Sequence, residues 1–189
     1  QEFGFIPESE IKDAKGYKQI YNDRLMVPVN ERIALLENGE KTLKDFTLSG
    51  ALEFCKKLYD KNVNMYLASG TDRDDVRNEA KKVTVAQYFK GGIYGAIGSI
   101  EEYSKDKVMK QILSENDLHG SELVVFGDGP VEIRNAKANG AIAVGVASNE
   151  ETGQGWNEVK VNRLTKAGCD LLVPDFAEGD KLLQYLFDE

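Results

Sequence analysis

The stretch "LVVFGDGPVEIRNAKANGAIAVGVAS", Leu123 to Ser148, decides the fold. Leu123-Val124-Val125-Phe126 is a run of strand formers with no polar alternation, the pattern of a strand buried on both faces. Gly127-Asp128-Gly129 breaks the run, and Pro130 suits the first position of a helix. That helix is expected over Pro130 to Asn139, closed by Gly140, and "AIAVGVA" then reads as a second buried strand. Asp128 and, in the first helical turn, Glu132 thus stand near the carboxyl end of a buried strand, where open α/β sheets place their ligands. Taken singly, Asp128 is also an ordinary turn former and Glu132 an ordinary first-turn acid that complements the helix dipole.

The alternation extends in both directions. Val63–Ala68 reads as a strand, with a helix starting near Asp72. "GGIYGAI" is a short strand or extended loop, and Ser104 caps a helix running to about Leu113. Beyond Ser148 come a polar loop, the helical "GWNEVKVNRLTKAG", a last strand "DLLVP" and a last helix "GDKLLQYLF". Strand and helix in turn imply a Rossmann-like parallel sheet covered by helices. The first part differs: "PESEIKDAKGYKQIYNDRL" and "VNERIALLENGEKTL" read as two helices with no strand between them. The expected organisation is a small all-helical cap over residues 1–47 and an α/β core over residues 48–189.

The 189 residues, 41% hydrophobic and 30% charged, suit a soluble globular chain. A formal charge of −8 argues against nucleic acid or a lipid surface as partner. No stretch is apolar enough to span a membrane, and Cys55 and Cys169 have no metal-ligand spacing. Two lone thiols favour a reducing compartment, so a cytoplasmic location is expected. Cys55 reads as a buried thiol and His119 as a surface histidine.

Two further positions complete a constellation with Asp128 and Glu132. In "YLASGT" a strand delivers Ser69, Gly70 and Thr71 to a helix start, where a hydroxyl and backbone N–H groups can meet an anion. Thr71 and Asp74 also fit a capping box, a purely structural account. In "YSKDKVMKQIL", at about 100° per residue, Val108, Met109 and Ile112 lie within about 60° of Lys105, whereas Lys107 and Lys110 point away as solvated lysines. Lys105 is therefore at the edge of the apolar face in the first turn. A cation there is unfavourable unless an anion or carboxylate meets it, or unless its head snorkels to water. Hydroxyl, lysine and two carboxylates could together hold a phosphate beside Mg²⁺, which prefers a few carboxylates, waters and phosphate oxygens.

In these motifs the chain resembles the haloacid dehalogenase (HAD) superfamily of phosphohydrolases. "VNMYLASGT" resembles its second motif, "SKDKVMKQIL" its third and "VVFGDGPVEIRNAKANGAIAVGV" its fourth; the helical start resembles a C1-type cap. The resemblance covers essentially the whole chain. It implies a Mg²⁺-dependent phosphatase that works through an aspartyl-phosphate. Ser69 and Lys105 would bind the phosphoryl group, with Gly70 and Thr71 beside them. Asp128 would hold Mg²⁺, and Glu132 would ligate it directly or act through Lys105 or water. Tyr17, Tyr21, Asn22 and Arg24 of the cap would bear on substrate choice or on cap packing.

One element of that pattern is absent. The family's first motif, Asp-x-Asp at the end of a central strand, has no match before Ser69; Asp72-Arg73-Asp74 has the letters but falls at a helix start. The expectation is that the central first strand is missing and belongs to an upstream segment or a companion chain. A small phosphorylated substrate is the expected ligand. A non-catalytic phosphate-binding or regulatory module is the competing reading. A nucleotide-binding domain is disfavoured, because no Gly-x-Gly-x-x-Gly or P-loop follows any strand.

Overall fold

The computed structural model describes residues 7, 10–97 and 104–187. It divides into two compact units, Gln1–Thr42 and Leu43–Glu189. Among the described residues the first holds one α-helix, α1 (Ala14–Glu37), capped by Asp13, whose carboxylate accepts the Gly16 N–H at 2.7 Å. The two expected helices are one: α1 passes through Pro28. Proline removes one N–H, that facing the Arg24 carbonyl, and the good helix formers on either side carry the helix past it. No residue of α1 is buried.

The second unit is α/β, as expected. Its elements are α2 (Ala51–Asp60), β1 (Tyr66–Asp72), α3 (Arg73–Lys82), β2 (Gly92–Ala96), α4 (Lys105–Glu115), β3 (Val124–Gly127), α5 (Pro130–Ala138), β4 (Ile142–Val146), α6 (Glu158–Ala167), β5 (Leu171–Val173) and α7 (Gly179–Phe187). Every strand pairing is parallel. Adjacent residues of β3 and β5 face opposite layers, as the unbroken apolar run required. Val125 and Leu172 pack on Ile133 and Ala136 of α5 and Leu164 of α6. Phe126 and Val173 join Phe54 and Leu58 of α2 and Leu182 and Leu183 of α7. Phe54 sits edge-on to Phe126 at 5.6 Å and stacks on Phe176 at 5.0 Å.

β1 lies three residues later than the expected Val63–Ala68. Asn62 adopts φ 58°, and the Val63 N–H returns to the Leu58 carbonyl, so Val63 closes α2 and does not open a strand. Pairing with β2 holds the chain extended through Asp72, with a register shift between Ala68 and Asp72.

Among the described residues the strands form two sheets, β1-β2 and β3-β4-β5, not one. β4 is the central strand of the larger sheet and is buried over Ala143–Val146, whereas Val124, Val125 and Phe126 at its edge are half-buried. The Leu123 carbonyl accepts the Ile142 N–H, so in the alternation of a parallel ladder Val125 and Gly127 face β4 and Val124 and Phe126 face outward. By the same reasoning the Met65 carbonyl, which accepts the Gly91 N–H, turns Tyr66 and Ala68 of β1 away from β2. No helix among the described residues is long and apolar enough to cross a membrane.

Candidate active site

The carboxyl end of β3 is built around a close approach. A Cβ on Gly127 would lie 2.7 Å from Cβ of Glu132, and one on Gly129 would lie 2.5 Å from its Oε2. The two glycines therefore leave room for the Glu132 side chain to fold back over the strand end. With α5 starting at Pro130, Glu132 stands in the first helical turn and Asp128 on the connecting bend.

Glu132 Oε1 accepts from Lys105 Nζ across the gap between α5 and α4. Both side chains are largely buried, 19% and 26% exposed. Lys105 is thus the first residue of its helix, on the edge of an apolar face whose Val108, Met109 and Ile112 are buried, and a carboxylate meets it. The contact expected between Glu132 and Lys105 is therefore present. Ser104 caps α4, accepting the Lys107 N–H at 3.2 Å. Asp106 fixes α4 to the end of α5 by accepting from Asn139 Nδ2 at 2.8 Å. The Lys110 ammonium, and next the Asn139 amide, hold the Asp106 carboxyl below the usual aspartate range.

Asp128 is open, its side chain 64% exposed. Its partner is a residue that the sequence reasoning missed: Lys160 Nζ lies 3.4 Å from Asp128 Oδ2 and 2.5 Å from Glu150 Oε1. Lys160 comes from the first turn of α6, where Asn157 Oδ1 caps its N–H at 3.1 Å. The available signal was "WNEVK", a cap residue followed by a lysine in an unfavourable first-turn position, the same argument that singled out Lys105.

At β1 the geometry differs from the expectation. Ser69, Gly70 and Thr71 lie within the strand, and α3 begins at Arg73 after Asp72. They therefore present groups from an extended segment, not from a helix start, because pairing with β2 continues to Asp72. Ser69 Oγ accepts the Thr71 N–H at 3.2 Å. The Thr71–Asp74 capping box is not formed; Asp72 is the cap residue, and its side chain does not cap the helix. Among the described residues, the hydrogen bonds and ion pairs join Lys105 to Glu132 and Lys160 to Asp128, and none reaches Ser69 from these four.

No family model matches the sequence, and no curated protein matches it significantly. Solved structures do match in shape. A conserved haloacid dehalogenase-like protein of unknown function from Agrobacterium tumefaciens superposes with a TM-score of 0.61 at 18% identity, over 74% of this chain and 61% of that one. A putative beta-phosphoglucomutase from Thermotoga maritima gives 0.61 at 19% identity over 95% and 79%. A HAD family hydrolase from Deinococcus radiodurans, with bound phosphate and sodium, gives 0.59 at 16% over 74% and 60%. This chain has the haloacid dehalogenase-like fold. It spans about three fifths of the length of the first of these structural relatives.

On the haloacid dehalogenase-like fold, Ser69 lies midway along β1, Asp128 follows the carboxyl end of β3 and the loop bearing Glu150 follows that of β4. A cleft of about 580 Å³ lined by Lys137, Asp170 and Tyr185 instead opens beside Ile142 and Leu171, at the opposite, amino ends of β4 and β5. Among the described residues no group of three or more His, Cys, Asp or Glu side chains could enclose a metal ion. The donor set is nonetheless compatible with Mg²⁺, which needs one or two carboxylates beside water and phosphate oxygens: Asp128 is solvent-open and its lysine contact is long. Glu132 is committed to Lys105. His119 is an exposed surface residue, as expected; its N–H donates to Glu122 Oε2 at 2.8 Å. Cys55 is half-buried, less enclosed than expected, and the burial it has raises its thiol above the ordinary range.

Proposed function

We propose that this chain is the greater part of a cytoplasmic phosphatase that hydrolyses a small phosphorylated metabolite. The observation that carries the reading is the Lys105–Glu132 pair, set over two glycines at the end of a half-buried parallel strand. A fixed ammonium at that place can offset charge on the equatorial oxygens of a transferring phosphoryl group. Ser69 would supply a hydroxyl to the same group, with Gly70 and Thr71 beside it. Asp128 would hold Mg²⁺, which would polarise the phosphoryl oxygens when bound.

The nucleophile in this reading is an aspartate on a strand that lies between β1 and β3. Support comes from the outward-facing edges of those two strands, Tyr66 and Ala68 on one and Val124 and Phe126 on the other. A parallel strand from an upstream segment or a companion chain would pair with both edges, join the two sheets and place its carboxyl end beside Asp128. Phosphoryl transfer to that aspartate and hydrolysis of the aspartyl-phosphate would follow.

The test is an intact mass spectrum of the folded, purified protein under denaturing conditions, followed by a phosphate-release assay on small phosphomonoesters. A second or heavier species bearing Asp-x-Asp, with Mg²⁺-dependent turnover abolished by replacing its first Asp, is the expected result. A preparation that includes such a strand and releases no phosphate would overturn the reading. A non-catalytic phosphate-binding module is favoured instead by one observation: Glu132, Asp128 and Glu150 all already face a lysine. It predicts phosphate affinity without turnover.

A further inference from the structure

Lys160 is placed where a lysine has little reason to be. Its side chain is only 14% exposed, and it occupies the first turn of α6, where the helix dipole disfavours a cation. Lysine is almost never so buried unless paired. Its two partners are held differently. Glu150 is close at 2.5 Å, whereas Asp128 is at 3.4 Å, and both carboxylates are themselves open to solvent, at 71% and 64% exposed.

Glu150 is fixed by its loop. Ser148 bridges to Trp156, the Asn149 N–H donates to the Gly155 carbonyl at 3.0 Å, and the Asn157 N–H donates to the Ala147 carbonyl at 2.8 Å. The Gly155 N–H in turn donates to Asp175 Oδ2 at 2.8 Å. The loop is therefore tied at both ends, which keeps the Glu150 backbone beside Lys160 whether or not Asp128 is in contact.

We infer that Lys160 is a built-in counter-cation for Asp128, held ready by Glu150, which yields Asp128 to a divalent cation and stays with Glu150 when it does. This rests on the reading of Asp128 as a metal ligand. An ammonium whose second carboxylate is secure can lose the first without being left unpaired in a buried place. Without metal, Lys160 keeps Asp128 from standing as an unbalanced charge; with metal, it sets how tightly the ion is held. The pair therefore acts as a threshold on cation affinity, not as part of the chemistry.

The test uses the 189-residue chain and Mn²⁺ alone, following paramagnetic broadening of the Gly127, Asp128 and Gly129 amide signals. Lys160→Met should lower the Mn²⁺ concentration at half-broadening about tenfold, one competing charge being removed. Lys160→Gln, a second variant in case the first folds poorly, should shift it the same way. Lys166→Met, at the far end of α6, should leave it unchanged. Glu150→Gln should raise it severalfold, because the ammonium then has Asp128 as its sole carboxylate, and should have less than a twofold effect in the Lys160→Met background. Equal midpoints for the chain and both Lys160 variants, or tighter binding in Glu150→Gln, would overturn the inference while leaving Asp128 a metal ligand. No broadening at residues 127–129 in any variant would remove the metal reading itself, and the inference with it.

Discussion

Replacing Glu132 by glutamine keeps the shape that fits over Gly127 and Gly129 but removes the charge that Lys105 faces. The cost can be bounded from burial. Removing one partner of a fully buried ion pair costs about 3–5 kcal/mol, because a desolvated charge is left unmatched, whereas exposed pairs are worth about 0.2–1 kcal/mol. Lys105 and Glu132 are 26% and 19% exposed, and the glutamine carbonyl can still accept one hydrogen bond. A loss of about 1–3 kcal/mol follows. Urea denaturation should show it as a lower midpoint at unchanged slope. Lys105→Met should cost a comparable amount, and the double variant should be more stable than the sum of the single losses implies, since it leaves no orphaned charge. A midpoint for Glu132→Gln within about 0.5 kcal/mol of the parent, or strict additivity in the double variant, would refute the idea that this pair is a coupled, desolvated unit.

Two further outcomes are expected. In the 189-residue chain the Val125 and Gly127 amides should exchange slowly with solvent deuterium and those of Val124 and Phe126 quickly, because only the first two face β4; equal protection of all four would show another strand already on that edge. The Asp170 carboxylate accepts the Ala143 N–H at 2.8 Å and the Lys137 ammonium at 2.6 Å, and these hold it below the ordinary aspartate range. A folded value below the unfolded one gives stability that is present above about pH 4 and lost as pH falls below it, so Asp170→Asn should flatten the acid limb of a stability-versus-pH curve.

The parts of the fold that local chemistry decides were legible. β3 and β4 announced themselves by unbroken apolar runs, although only β4 is buried along most of its length, and α5 because Pro130 and Gly140 mark its ends. Lys105 was legible from helical angles alone, since its neighbours on the apolar face have nowhere else to go. Features decided by distant partners were not. The length of β1 depends on β2, which holds Ser69 to Thr71 extended where the local sequence reads as a turn. The N-terminal segments read as two helices, yet helix on both sides of Pro28 overrides one missing hydrogen bond. Lys160 stayed hidden because a lysine in a polar, glycine-containing region looks solvated until the loop that brings Glu150 to it is known.

The charges at the strand ends bear on what can bind there. Asp128, Glu132 and Glu150 set three carboxylates against the ammonium groups of Lys105 and Lys160, which leaves one net negative charge in a chain already at −8. A phosphate monoester dianion approaching that arrangement meets repulsion at short range, where screening is weakest. A divalent cation on Asp128 reverses the local sign to one net positive charge. Phosphate and metal should therefore bind together, whether the chain is part of a catalyst or a binding module. Titration of inorganic phosphate by calorimetry should give at least tenfold tighter binding in Mg²⁺ than in chelator, about 1.4 kcal/mol. Equal affinity in both would mean that Ser69 and Lys105 bind the anion without help, and that Asp128 is a turn residue and not a metal ligand.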